Sequence, residues 1–104
     1  MAHKKQYQDL VDRLVAQYRP NVRVSRMAGI SVLTVDGRAF AGLNRDDMVF
    51  RLDGADLTKA LKLKGAKPYE PAGEPSTGWA QVPPVHVGHW RILAETALDL
   101  ARFR

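Results

Sequence analysis

The 104-residue sequence predicts a single α+β domain of two layers, with an antiparallel sheet of about five strands packed against two or three helices. Three observations lead there. A helical stripe opens the chain, an Asp36-Gly37 turn lies between two β-prone runs, and a second helical stripe closes it. The element order, α-β-β-β-β-α-(β)-β-α, lacks the regular strand–helix alternation of a doubly wound parallel sheet.

Each element has a local cause. Tyr7, Leu10, Val11, Leu14, Val15 and Tyr18 recur at helical period, which predicts a helix over 4–19 stopped by Pro20. Val22 and Val24 alternate with Arg23 and Ser25, a short strand reaching Met27. Asp36-Gly37 then joins Ile30–Val35 to Arg38–Leu43 as a two-residue hairpin. Its simplest register sets Val35 against Arg38, Leu33 against Phe40 and Ser31 against Gly42 on one face. Thr34–Ala39, Val32–Ala41 and Ile30–Leu43 fall on the other. The polar turn Asn44-Arg45-Asp46-Asp47 returns the chain as Met48–Leu52, with Met48 opposite Leu43, Phe50 opposite Ala41 and Leu52 opposite Ala39. Ile30, Val32, Ala39, Ala41, Leu43, Met48, Phe50 and Leu52 then share an uncharged face, the expected core side of the meander.

Asp53 stands in N-cap position, with Asp56 in the first turn, for a helix over about 54–64 that Gly65 ends. Lys67–Glu70 reads as a short edge strand, and Pro71–Gly78 is a loop by composition. Trp79–Val82 is the last strand, closed by Pro83-Pro84. Trp90, Leu93, Ala94, Ala97, Leu98 and Ala101 then stripe a final helix over about 88–102.

Composition narrows the function classes. A 45% hydrophobic share in 104 residues suits one domain with a core rather than a disordered chain. The absence of cysteine excludes disulfides, thiolate catalysis and Cys-ligated zinc. No run of 18 apolar residues occurs, so no membrane span is expected. The basic start, Met-Ala-His-Lys-Lys-Gln, leads into an amphipathic stretch rather than the apolar segment of a secretory signal, which predicts a cytoplasmic protein.

Four segments resemble, in order, the N-terminal domain of the TfoX (Sxy) competence regulators. They are the hairpin VDGRAFAGL at Val35–Leu43, then DDMVFRLDGAD at Asp46–Asp56, then KGAKPYEP at Lys64–Pro71. The last is GWAQVPP at Gly78–Pro84, leading into the terminal helix. Two features depart from the family. Ser76-Thr77-Gly78-Trp79 replaces its frequent Met-Lys-Gly-aromatic run, and the second helical domain of full regulators is not among these residues. The resemblance implies a small α+β fold with an antiparallel sheet, and a role alongside a transcription activator rather than as an enzyme.

No catalytic, cofactor-binding or metal-binding residue is assigned. His86 and His89 are an HxxH pair, but zinc needs a third ligand, and the nearest downstream acid, Glu95, is turned away on the helix. Asp46-Asp47 reads as a solvated turn. The hydroxyls sit in no G-x-S-x-G context, and neither G-x-G-x-x-G nor a Walker A pattern occurs. A non-enzymatic interaction or regulatory module is the expectation.

Two surfaces are candidates for it. The sheet face opposite the expected core would expose Leu33, Phe40 and Val49 with Arg38 and Arg51 beside them, a surface for a protein partner or a second copy in a homodimer. Alternatively, Lys59, Lys62, Lys64 and Lys67, with no acid between them, could meet nucleic-acid phosphates. Nucleic acid is the less favoured partner, because the net charge of +5 is modest and no aromatic is interleaved to stack bases. A third, weaker site is the Pro71–Gly78 loop near Trp79, as a ligand pocket.

Overall fold

The stripe at the start of the chain winds into α1, Ala2–Gln17, which buries Tyr7, Leu10, Val11 and Leu14. The structure is a computed structural model and describes residues 2–27, 29–69 and 78–103, with the side chains of 2–4 outside that description. Four strands follow as a meander: β1 Val22–Met27, β2 Ile30–Val35, β3 Arg38–Asn44 and β4 Asp47–Arg51. Then come α2 Gly54–Leu61, β5 Lys67–Pro68, β6 Trp79–Val82, a tight turn at Pro84–His86 and α3 Val87–Phe103. The sheet is antiparallel throughout, in the order β1-β2-β3-β4-β6-β5. The fold is α+β, with six strands where about five were expected.

One core joins the helices to one side of the sheet. Leu14 of α1, Ala60 of α2 and Trp90, Ala94 and Leu98 of α3 pack with Leu33, Val35, Ala41, Met48, Phe50, Ala80 and Val82. On the other side a smaller buried cluster gathers Val49, Tyr69 and Trp79, with Met27, Ile30 and Ala39 against it. The Tyr69 and Trp79 rings meet edge to face, with centroids 6.0 Å apart. Next to them Gln81 is nearly buried and satisfied on both ends. It accepts from Asn44 Nδ2 at 3.3 Å and donates to Asp47 Oδ2 at 2.7 Å.

The β2–β3 hairpin decides which residues face the helices. Asp36 and Gly37 both have positive φ, 51° and 84°, as a type I′ turn demands. Val35 lies opposite Arg38 and Thr34 opposite Ala39, in the simple register. The pairing then slips: Leu33 faces Ala41, Val32 faces Gly42 and Ser31 faces Leu43. Phe40 is the extra residue of a β-bulge, and it and Ala41 both join the helix-side core. A one-residue shift exchanges the two faces of a strand. Leu33 and Phe40 therefore enter the main core, whereas Ile30 and Ala39, expected there, pack on the far side with Val49.

Two helix ends also differ from expectation. α2 stops at Leu61, and Lys62 is its C-cap. The chain continues in tight turns, with Leu63 N–H on the Ala60 carbonyl and Ala66 N–H on the Leu63 carbonyl, which return Leu63 and Ala66 to the core. Asp53 occupies the N-cap position with extended backbone, but its side chain makes no capping hydrogen bond. Among the described residues, no helix is long and apolar enough to cross a membrane.

α1 is fastened to the sheet by a polar contact as well as by packing. The Tyr7 hydroxyl lies 3.1 Å from Ser31 Oγ on β2. Burial raises the Tyr7 phenol above its ordinary 10.0, against a smaller lowering by the Ser31 hydrogen bond. The phenol ionises more readily in the unfolded chain, so this contribution is intact below pH 10.0 and is lost as pH rises through the folded-state value. Burial also raises the Tyr69 phenol, so alkaline titration of tyrosinate absorbance is expected to show two delayed ionisations in wild type, of which Tyr7→Phe removes one. A titration unchanged by that substitution would contradict the buried environment of Tyr7.

Candidate functional site

The expected apolar docking face is not at the surface. Leu33, Phe40 and Val49 are each 0% exposed. The bulge sends Leu33 and Phe40 into the helix-side core, and Val49 is covered within the cluster it forms with Tyr69 and Trp79. The homodimer expected from that face loses the surface on which it rested.

Arg38 and Arg51, the rim of that expected patch, are exposed and converge elsewhere. Arg38 opens β3 and Arg51 closes β4, so both lie at the same end of the sheet. There they line a cleft of about 510 Å³ together with Leu52, Asp53, Leu100 and Ala101. Arg38 Nη1 donates to the Ala101 carbonyl at 3.3 Å, a cation on the negative C-terminal end of α3. Gly78 forms another part of the wall, and its carbonyl accepts from Leu52 N–H at 2.7 Å, which seats β6 beside the end of β4. No sequence motif marks this site, because it needs a hairpin residue and a carbonyl 63 positions away.

The lysines stand where charge patterning places them. Lys59, Lys62, Lys64 and Lys67 are all exposed, running from α2 through the following turns to β5. None forms an ion pair among the described residues, where Arg91 and Glu95 form one at 3.5 Å. Among the described residues, then, no acid neutralises the strip.

His86 and His89 sit in the turn before α3 and in its first turn, with ring centroids 6.0 Å apart. His86 Nε2 is engaged with the Lys64 carbonyl at 2.9 Å, and among the described residues no group of three potential metal ligands forms. Asp47 is held by Gln81, and Asp46 lies in the exposed turn. The Pro71–Gly78 loop, apart from Gly78, lies outside the described residues. No family model, no curated protein and no solved structure matches this chain.

Proposed function

We propose that the chain is a non-enzymatic interaction module of the cytoplasm that engages an acidic protein partner through Lys59, Lys62, Lys64 and Lys67. The observation that carries this reading is the run of four exposed lysines with no ion-pair partner among the described residues. An unneutralised strip of one sign steers an oppositely charged partner and sets its register. The resemblance to the TfoX N-terminal domain supports a binding role beside a regulator. A second copy fits this strip poorly, because it would present the same positive charge.

The same strip favours a second reading, contact with nucleic-acid phosphates, and one experiment separates the two. Wild type and Lys62→Glu/Lys64→Glu are immobilised and exposed to native lysate with and without nuclease. The first reading expects a discrete protein retained after nuclease treatment and lost with the double variant. Retention of nucleic acid alone, falling steeply with salt, would replace it with the second. Capture indifferent to the lysines would remove both.

A further inference from the structure

The cleft where β3, β4 and the end of α3 meet has the size and lining of a ligand site. Its volume of about 510 Å³ falls within the roughly 300–1,000 Å³ typical of small-molecule sites. Two arginines line it from separate strands. Arg38 is anchored by one N–H to the Ala101 carbonyl, which aims the planar group and leaves its other donors uncommitted to that carbonyl. Arg51 is exposed and has no ion pair among the described residues. Helix capping accounts for Arg38, but it gives Arg51 no task.

The lining carries a charge balance and an apolar wall. Among the described residues one carboxylate, Asp53, lines the cleft with the two arginines. Leu100, half-buried, supplies apolar surface beside the cations, whereas Leu52 and Ala101 are almost fully buried. Paired arginines suit an oxyanion, because the guanidinium fork matches the oxygens of a carboxylate or phosphate two at a time. An inorganic ion would leave Leu100 unused.

We propose that this cleft binds a small organic oxyanion, a carboxylate or phosphate monoester bearing an apolar group. Arg38 and Arg51 hold its head, and Leu100 seats its body. The site is separate from the lysine strip and does not depend on the partner proposed for it.

The test is an amide-shift titration of ¹⁵N-labelled protein with phenyl phosphate and with phenylacetate. Inorganic phosphate serves as the head alone and benzyl alcohol as the body alone. Saturable shifts are expected at Leu52, Leu100 and Ala101 with at least one of the two aromatic anions, and which one it is identifies the head. Arg51→Gln is expected to weaken binding about tenfold, the loss of a charge-assisted hydrogen bond. Arg51→Lys is expected to fall between, since it keeps the charge and loses the fork. Lys62→Glu/Lys64→Glu is expected to leave the titration unchanged. The proposal fails if neither anion saturates, if Arg51→Gln binds like wild type, or if the lysine variant loses binding equally. It also fails if inorganic phosphate or benzyl alcohol binds as tightly as the aromatic anions.

Discussion

Phe40→Asp is expected to abolish cooperative folding. Phe40 is 0% exposed and projects from the bulge into the cluster shared by α1, α3 and the sheet. Removing a buried phenylalanine costs about 3–5 kcal/mol, and an unpaired buried carboxylate adds several kcal/mol of desolvation. A small domain has about 5–15 kcal/mol of total stability, so the sum consumes most or all of it. Phe40→Leu keeps an apolar side chain in the site and is expected to fold with a lowered melting temperature. Circular dichroism melts decide the matter. A cooperative transition for Phe40→Asp close to that of wild type would return Phe40 to the surface and restore the docking face that the bulge removes.

Gly42→Val is expected to be the next most damaging change. A Cβ at this position would lie 2.8 Å from the Ser31 carbonyl oxygen and 3.0 Å from Val32 Cγ1. The first of these is backbone of the paired strand, so relief requires β2 and β3 to move apart rather than a side chain to rotate. Overpacking of one methyl typically costs about 1–3 kcal/mol, and valine adds two more carbons. Each kcal/mol lowers the melting temperature of a domain near this size by roughly 4–8 °C. Gly42→Ala is expected to fall between wild type and Gly42→Val. Gly88→Ala in α3 is the contrast, because its added Cβ meets nothing within 4 Å. Alanine in a helix gains up to about 1 kcal/mol over glycine. Equal melting temperatures for Gly42→Ala and Gly88→Ala would contradict the close approach of the two strands.

The elements were legible where their causes are local. Asp36-Gly37 specified its turn, and the stripes of Tyr7–Tyr18 and Trp90–Ala101 specified the outer helices. The pairing of β3 with β4 followed from counting across the Asn44–Asp47 turn, with Met48 opposite Leu43 and Phe50 opposite Ala41. The face of β2 was not legible. Ala39-Phe40-Ala41 reads like any alternating strand, and nothing in those residues marks Phe40 as an insertion. Only packing discloses it, since the bulge lets Phe40 and Ala41 fill the same core. The early end of α2 is a tertiary effect of the same kind, with Leu63 and Ala66 drawn inward. The exposed Lys59 and Lys62 could be foreseen because they lie off the Leu57, Ala60 and Leu61 stripe, whereas Lys64 continues that stripe at helical period and is exposed beyond the end of α2. The Arg38–Arg51 cleft could not, because its far wall comes from the last turns of the chain.

β1 forms one border of the sheet, with Arg23 and Arg26 exposed along it and Val24 left 54% exposed. Alternation puts one guanidinium on each side of the ribbon, so a foreign strand approaching this border meets positive charge from both directions. Dissolved ions weaken this guard by shortening the reach of its repulsion. Concentrated electrolyte is the condition under which this seam would begin to recruit neighbours and grow into lateral aggregates.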